Sequence, residues 1–331
     1  MATVLITPEV MREQEAPYVE RLKAEGFEIR YPANPTFARG LSSEDETLAE
    51  LHGVAAVLAG GEIYTPRVLA EAESLRVIAR AGVGYDRVDI PAATANRVVV
   101  TVTPTANHEA VAEHTLALLL ACAKAIAFND KVTRSGGWQL WVNRALRQRT
   151  FGLVGLGRIG QSTAVRAGAF GMRLLAADPA ANVGWANEHG IEIVDMDVLL
   201  AQSDYVSLHC PFNEQTRGVF DRALFGKMKR GCVLINTARG QLVNEDDLLD
   251  ALTSGQLAAA GLDVFAQEPT TAEHPLFALD NVVVSQHLAG TDEVSVEAMG
   301  LEAAQCIITL RKGGWPDGAV INEDLRGRWS W

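Results

Sequence analysis

The stretch GLVGLGRIGQ, Gly152–Gln161, decides how the rest of the chain is interpreted. It places Gly155, Gly157 and Gly160 in the order GxGxxG, between a strand-like run, TFGLV, and a helix-like run, IGQSTAVRAGAFG. Glycines in this order allow a tight turn, a close approach of backbone to a pyrophosphate, and close packing of helix on strand. The N–H groups at the start of the helix would favour the phosphate charge. The stretch therefore predicts a strand–turn–helix unit that binds a dinucleotide.

An acidic residue at the expected distance narrows the choice of nucleotide. The next strand-like run, RLLAADP, ends at Asp178, which lies about 20 residues beyond the glycines as in other dinucleotide folds. A carboxylate there can accept hydrogen bonds from both ribose hydroxyls and would repel a 2′-phosphate. An ordinary tight turn followed by a solvated aspartate is the alternative interpretation. We expect NAD rather than NADP.

The same alternation of short and long runs extends on both sides of this unit. Short apolar runs rich in β-branched residues are separated by longer helical stretches. The short runs are not polar at alternate positions, which is typical of parallel strands covered by helices on both faces. The length of 331 residues suits two domains. We predict an α/β protein of two doubly wound parallel-sheet domains, Rossmann- and flavodoxin-like, with a cleft between them.

A proline marks the predicted domain boundary. Pro104 interrupts the segment TVTPTAN, and beyond it NHEAVAEHTLALLLACAKAIA predicts one long helix. After Gly290 the chain turns helical again. We expect a discontinuous substrate domain, residues 1–103 plus 291–331, and an NAD-binding domain, residues 104–290.

Composition and charge exclude several classes of partner. The net charge of -12 argues against a surface for nucleic acid or anionic membrane, because both need clustered Lys and Arg. The N-terminus has no basic leader, and the apolar run HTLALLLACAKAIAF is broken by Lys124 and is too short to span a bilayer. The four cysteines form no CxxC pair and no metal-ligand spacing. We expect a cytoplasmic protein without nucleic-acid, membrane or metal partners.

Three ionisable residues follow strand-like runs, where ligands collect in doubly wound sheets. They are Arg239 in NTARGQLV, Glu268 in GLDVFAQEP and His287 in NVVVSQH. His287 can protonate a carbonyl oxygen as hydride arrives, and Glu268 would favour its imidazolium form. Arg239 can clamp a substrate carboxylate or polarise the carbonyl. Taken singly, each has a structural alternative: a loop histidine, a loop charge and a surface ion pair.

Several motifs in one order resemble the signatures of the D-isomer-specific 2-hydroxyacid dehydrogenases over nearly the whole chain. They are RVIARAGVGYDRVDI, NHEAVAEHTLALLLA, GLGRIG, LHCPFNEQTRGVF, LINTARGQLVNEDDLLDAL, GLDVFAQEP and NVVVSQHLAG. The resemblance implies hydride transfer between NAD and C2 of a small D-2-hydroxy or 2-keto acid, with Arg239, Glu268 and His287 as the catalytic set. It also implies a homodimer in which the helix beginning near Asn107 crosses between subunits. Gln286 departs from the family, which often has proline before the histidine.

The resemblance also implies which residues bind substrate and cofactor. The substrate carboxylate is expected to bind the backbone N–H groups of AGVG, with Arg239 and His287 beside it; these residues are Ala81, Gly82, Val83 and Gly84. Besides the three glycines and Asp178, the implied cofactor contacts are Arg158, Ile159, Cys210, Pro211, Thr216, Thr237, Ala238, Asp263 and Gly290.

Two alternative functions stay open. The segment RAGVGYDRVD is similar to one in phosphoglycerate dehydrogenases, and Arg80 could reach a substrate phosphate. Yet Ala59 stands about where those enzymes place a second phosphate-binding arginine, and a structural ion pair also explains Arg80. The other alternative is a non-enzymatic NAD-sensing scaffold, because some relatives keep the folds and the catalytic residues in that role.

Two further histidines have expected positions. His209, in LHCP, is expected beside the cofactor and outside the chemistry. His114, in VAEHTLAL, is expected to pack and hydrogen-bond within its own helix.

Overall fold

The computed structural model describes residues 1–12 and 15–331. The chain divides into two compact units, one formed by Met1–Asn107 with Thr291–Trp331 and the other by His108–Gly290. The division falls after Asn107, at the end of the segment in which Pro104 indicated a boundary.

The first unit is built on a parallel sheet. Its elements are β1 (Ala2–Ile6), α1 (Pro17–Ala24), β2 (Phe27–Arg30), α2 (Glu44–Leu51), β3 (Val54–Ala59), α3 (Pro66–Glu71), β4 (Val77–Arg80), α4 (Ile90–Ala95), β5 (Val99–Thr101) and, from the C-terminal segment, α12 (Glu293–Arg311). Short 3-10 helices lie at Glu9–Met11, Phe37–Arg39 and Glu323–Leu325. The strand order in the described residues is β2-β1-β3-β4-β5, the doubly wound flavodoxin-like order.

Alternate residues of β1 explain why its sequence is apolar throughout. Val4 and Ile6 pack into one core with α1 and α12, while Leu5 points into a second core on the opposite face. Because successive side chains of a strand point to opposite faces, a sheet covered on both sides needs apolar residues at every position.

The second unit is built on a wider parallel sheet. Its elements are α5 (His108–Lys124), α6 (Ile126–Arg134), β6 (Thr150–Val154), α7 (Arg158–Ala169), β7 (Arg173–Ala177), α8 (Val183–Glu188), β8 (Ile191–Ile193), α9 (Met196–Gln202), β9 (Tyr205–Leu208), α10 (Arg222–Lys227), β10 (Cys232–Asn236), α11 (Glu245–Thr253), β11 (Leu257–Leu262) and β12 (Val282–Val284), with 3-10 helices at Gly240–Leu242 and Pro275–Ala278. The strand order is β12-β11-β10-β9-β6-β7-β8. The order reverses between β6 and β9, and in such sheets ligands bind beyond the carboxyl ends of the strands at that point.

The predicted class, two doubly wound parallel α/β sheets, is confirmed. The pattern did not identify the edge strands β2 and β8, because both are short and carry charged residues. The single long helix predicted from Asn107 is wrong at its end: α5 stops at Lys124, and Ala125 takes a left-handed conformation, φ 48°, before α6. That conformation interrupts the hydrogen-bond ladder of an α-helix.

The C-terminal tryptophans pack on the first unit. Trp329 Nε1 donates to the carbonyl oxygen of Arg97 at 2.8 Å. The ring of Trp331 lies edge-on to Phe27 with centroids 5.8 Å apart, and the Arg311 guanidinium lies 4.5 Å above the same phenylalanine. The tail therefore contacts the first unit both at β2 and at the segment that precedes β5.

Within the described part of the chain, no single helix is both long and apolar enough to cross a membrane. The pair α5 and α6, bent by 57°, reaches that length and apolar content only when its two helices are taken together. No group of three or more His, Cys, Asp or Glu in these residues could hold a metal ion.

Candidate active site

The GxGxxG turn lies at the point where the strand order of the second sheet reverses. Gly155 has φ 98°, and a Cβ on it would lie 2.7 Å from the carbonyl carbon of His209. A Cβ on Gly160 would lie 2.3 Å from the carbonyl oxygen of Gly155. Side chains at both positions would collide with backbone, so the turn requires glycine. Gly157 faces open space among the described residues, and α7 begins after it without a side-chain cap. This geometry fits a pyrophosphate against the helix N-terminus.

Asp178 is fixed beside the turn. Its Oδ2 accepts a hydrogen bond from Leu156 N, and its Oδ1 accepts one from Ala180 N, both at 2.7 Å. Arg158 and Ile159, two of the predicted cofactor contacts, occupy the first turn of α7. The donor and acceptor set therefore fits a dinucleotide whose ribose hydroxyls face Asp178.

The loop after β9 contributes neutral groups beside the glycine turn. His209 N donates to Val154 O at 2.7 Å, which places this loop next to the end of β6. The His209 ring nitrogen Nε2 is buried and has no hydrogen-bond partner among residues 1–12 and 15–331. Burial lowers the pKa of His209 to about 3 and raises the pKa of Cys210 to about 11, so both are uncharged at neutral pH. Further along, Thr216 Oγ1 donates to Pro211 O at 2.9 Å and closes the loop.

The loop that carries Arg239 is held by its own backbone and by Asn236. The Asn236 side chain is buried; its Nδ2 donates to Arg239 O at 2.9 Å, and its Oδ1 accepts from Ala238 N at 3.0 Å. Arg239 Nη1 donates to Ala238 O at 2.7 Å. The backbone before and after Arg239 is therefore fixed relative to the end of β10.

A close backbone contact joins this loop to the one after β11. A Cβ on Gly240 would lie 1.8 Å from the carbonyl carbon of Phe265, so only glycine fits there. Gln241 Nε2 donates to Ala266 O at 2.9 Å. The loop of Arg239 thus packs directly against the segment that leads to Glu268.

The structure brings His287 and Glu268 together. His287 Nδ1 lies 2.7 Å from Glu268 Oε2, and Glu268 Oε1 accepts from Phe265 N at 3.0 Å. The side chain of Glu268 is 18% exposed, whereas that of His287 is 47% exposed. With Nδ1 bonded to the carboxylate, Nε2 is the ring nitrogen that can reach a substrate.

Asp263 organises the loop that carries His287. Its side chain is fully buried. Oδ1 accepts from Ser285 Oγ at 2.6 Å and from Leu288 N at 3.0 Å, and Oδ2 accepts from Ala289 N at 2.9 Å. The backbone oxygen of Asp263 accepts from His287 N at 2.7 Å, where His287 has the left-handed φ of 55°. This carboxylate therefore fixes a loop conformation that a non-glycine residue rarely adopts. Gly290, the remaining predicted cofactor contact, ends this loop and is half-buried.

In the first unit, the loop Ala81–Gly84 follows β4. Ala81 N donates to Ala59 O at 2.9 Å and Gly82 N donates to Thr103 Oγ1 at 2.8 Å, so these two N–H groups are already used. Val83 N and Gly84 N make no hydrogen bond within the described residues, which narrows the predicted substrate donors to them. Arg80 Nε donates to Gly84 O at 3.0 Å and closes the loop.

The sequence did not point to three residues near these loops. Asn107 is buried, its Oδ1 lacks a partner in the described chain, and its Nδ2 would lie 3.9 Å from a Cβ on Gly82. Asn236 holds the Arg239 loop as described above.

The prediction that His114 bonds within its helix is wrong: His114 Nε2 lies 2.8 Å from Ser285 Oγ. Helical periodicity cannot reveal a partner 171 residues away.

The glycine turn at a switch point, with Asp178 beside it, defines a dinucleotide-binding α/β protein. Residues 116–289 match the family described as D-isomer specific 2-hydroxyacid dehydrogenase, NAD binding domain. The chain belongs to the D-isomer-specific 2-hydroxyacid dehydrogenase family. The resemblance drawn from the motifs and the expectation of NAD as cofactor are both confirmed.

Relatives within this family differ in their named substrates. A D-3-phosphoglycerate dehydrogenase of Mycobacterium leprae is 42% identical over 266 residues, which cover 78% of this chain and 50% of the relative. A glyoxylate reductase of Korarchaeum cryptofilum is 38% identical over 267 residues, which cover 79% of this chain and 80% of the relative. The solved D-lactate dehydrogenase of Aquifex aeolicus, complexed with NAD and lactic acid, is 28% identical with a TM-score of 0.82 and covers 96% of this chain and 99% of its own. The chain spans about half the length of the phosphoglycerate dehydrogenases it matches first.

Proposed function

We propose that the chain catalyses reversible hydride transfer between NAD and C2 of a small D-2-hydroxy or 2-keto acid. The observation that carries this proposal is the 2.7 Å pair of His287 and Glu268 at the end of a strand in the sheet that bears the dinucleotide turn. An imidazole whose Nδ1 is bonded to a carboxylate is arranged for proton transfer at Nε2. Membership of the dehydrogenase family supports the same reaction.

In this proposal, His287 and Glu268 carry out the acid–base chemistry. NADH, once bound beside the glycine turn, would supply the hydride that reduces the keto carbon. His287 donates its Nε2 proton to the carbonyl oxygen, which becomes the hydroxyl, and the imidazole is left neutral. Glu268 stabilises the imidazolium before that transfer through a charge-assisted hydrogen bond and fixes the ring orientation. In the oxidative direction His287 takes the hydroxyl proton back at the same nitrogen.

Substrate binding is assigned to cationic and N–H donors. Arg239 would clamp the carboxylate or polarise the carbonyl with its planar guanidinium. Val83 and Gly84 would offer backbone N–H groups to the carboxylate. The assignments of Arg239, Val83 and Gly84 come from the family resemblance.

We propose an unphosphorylated substrate from the groups that lie beyond β3 and β4 in the first unit. Arg80, the cation nominated for a phosphate, has its Nε bonded to Gly84 O. Beyond β3, the strand next to β4, Glu62 is buried and accepts hydrogen bonds from Thr7 Oγ1 and Tyr64 Oη at 2.8 Å each. Burial and this glutamate raise the pKa of Tyr64. An ionised Glu62 would repel a phosphate group placed beside it at this edge of the sheet. The phosphoglycerate alternative is supported by the segment RAGVGYDRVD, by Arg80 and by the names of relatives such as the one from Mycobacterium leprae.

Oxidation of NADH against a panel of keto acids tests the proposal. Glyoxylate, hydroxypyruvate, pyruvate, a bulky 2-keto acid and 3-phosphohydroxypyruvate would each be mixed with enzyme and NADH. We expect fast turnover of an unphosphorylated acid and slower turnover of the phosphorylated one. Preference for 3-phosphohydroxypyruvate would establish the phosphoglycerate alternative. Tight NADH binding with no turnover of any acid would favour the NAD-sensing scaffold.

Asp178 should set the preference for NADH over NADPH. A carboxylate near a 2′-phosphate costs several kcal/mol at the effective dielectric of a protein surface, so we expect kcat/KM with NADH to exceed that with NADPH by about 10²-fold or more. Asp178→Asn removes the charge and keeps an acceptor for Leu156 N, and should reduce the preference by about tenfold. Asp195→Asn, at an exposed position in the same unit, is the matched control. An equal preference in wild type and Asp178→Asn would remove Asp178 from cofactor selection.

The homodimer and the cytoplasmic location expected from the sequence stay predictions. Sedimentation of the purified chain measures the first, and fractionation of cells that express it measures the second.

A further inference from the structure

Two consecutive residues of α5 reach two different loops at the ligand-binding end of the second sheet. His114 Nε2 lies 2.8 Å from Ser285 Oγ, beyond β12, and Thr115 Oγ1 lies 2.9 Å from Thr237 Oγ1, beyond β10. Successive side chains of a helix point about 100° apart, so one helix can contact both places. We infer that His114 and Thr115 are positioning residues, which hold the loops of His287 and Arg239 in the geometry that hydride transfer requires. The kinetic part of this inference rests on the proposed function.

The direction of each hydrogen bond in the His114 branch follows from its donors. The Asp263 carboxylate accepts hydrogen bonds from Ser285 Oγ, Leu288 N and Ala289 N, so it acts as an acceptor only. Ser285 has one hydroxyl hydrogen, which it donates in the hydrogen bond to Asp263. The Ser285 oxygen must therefore accept a hydrogen bond from His114 Nε2–H, which fixes the tautomer of His114. The chain of bonds runs from α5 to the two peptides that follow His287.

The hydrogen-bond directions in the Thr115 branch also follow from which hydroxyl hydrogens are available. Thr115 Oγ1 donates its one hydroxyl hydrogen to Val111 O at 2.8 Å, within the helix. The hydroxyl of Thr237 must then donate to Thr115. Thr115 is fully buried and Thr237 is 7% exposed, so water cannot readily replace either partner. Thr237 directly precedes Ala238 and Arg239, and this bond therefore gives the arginine loop a second anchor besides Asn236.

The His287 loop depends on such anchors because of its backbone. His287 has φ 55°, a conformation that a β-carbon disfavours and that persists only when surrounding bonds impose it. Asp263 imposes it through its backbone oxygen and its carboxylate, and Ser285 and His114 hold that carboxylate in place. A shift of about 1 Å in a catalytic group can cost about 100-fold in rate. Loss of His114 should therefore act on catalysis although His114 does not contact the reacting atoms.

Kinetics of three variants and one control test the inference. His114→Ala should lower kcat by about 10- to 100-fold with little change in the KM for NADH. His114→Gln keeps an N–H donor for Ser285 and should recover most of the lost rate. Thr115→Val should act on the arginine loop and raise the KM for the keto acid more than it lowers kcat. Glu113→Gln, on the exposed side of the same helix next to His114, should leave all constants within about twofold of wild type.

Hydrogen exchange at the amides of Leu288 and Ala289 gives a readout that needs no turnover. Exchange there should be about tenfold faster in His114→Ala than in wild type, and near wild type in His114→Gln. Unchanged exchange together with unchanged kcat, even with a lower melting temperature, would reduce His114 to a structural residue and overturn the inference. If the wild type reduces no keto acid, the proposed function fails, and the exchange rates alone decide whether α5 holds the loop.

Discussion

Replacing His287 with alanine should lower kcat for keto-acid reduction by about 10²- to 10⁴-fold, the range that a positioned general acid contributes. The imidazole is bonded through Nδ1 to Glu268 and is 47% exposed, so its Nε2 can donate to a substrate oxygen. Alanine removes the donor and leaves the dinucleotide turn untouched, because that turn lies at the end of β6. We therefore expect the Kd for NADH to stay within a few-fold of wild type.

Steady-state rates and NADH titration by fluorescence measure the two quantities separately. His189→Ala is the matched control, since His189 is exposed in the same unit and stacks on Trp185 with ring centroids 4.0 Å apart. It should leave kcat unchanged. Turnover at the wild-type rate in His287→Ala would show that another group supplies the proton. A loss of NADH binding equal to the loss of kcat would instead assign His287 to the cofactor.

The sequence predicted two kinds of feature in the site: a turn specified by neighbouring residues, and side chains that directly follow parallel strands. The turn Gly155–Gly160 is specified by neighbouring residues, since each glycine meets a steric requirement within the strand–turn–helix unit. The pairing of Glu268 with His287 could be expected because β11 and β12 are parallel neighbours whose carboxyl ends meet at one edge. The GxGxxG pattern was sufficient to predict the turn. The rule that ligands bind beyond the carboxyl ends of parallel strands was sufficient to predict the pair.

The contacts that the sequence did not predict join elements far apart in the chain. The bond between His114 and Ser285 requires knowing which face of α5 packs on β12, and periodicity gives a face without its partner. The use of the Ala81 and Gly82 N–H groups by Ala59 and Thr103 could not be anticipated either. A motif shows that a loop offers backbone donors, but only the packed structure shows which donors its own unit consumes.

Replacing Arg239 with alanine should lower kcat/KM for the keto acid by about 10³-fold, because a guanidinium that binds a carboxylate or a developing oxyanion is worth about that much. The loop itself should persist, since Asn236 bonds to the backbone of residues 238 and 239 and Gly240 packs on Phe265. Arg222→Ala, an exposed arginine of α10 that pairs with Asp250, is the control and should change kcat/KM by less than twofold. The measurement is the dependence of rate on keto-acid concentration at saturating NADH.

The way the loss divides between KM and kcat identifies what Arg239 does. If it only binds the carboxylate, the contact is equal in the ground and transition states, so KM should rise and kcat should stay. If it also polarises the carbonyl, kcat should fall as well, because that contact strengthens as negative charge develops on the oxygen. Lysine keeps the charge but loses the planar pair of donors, so Arg239→Lys should restore part of kcat and little of the KM. Guanidinium ions added to Arg239→Ala should recover activity in a saturable way if the missing group acts directly on the substrate. An Arg239→Ala enzyme with wild-type kcat and KM would leave carboxylate binding to the backbone donors Val83 and Gly84.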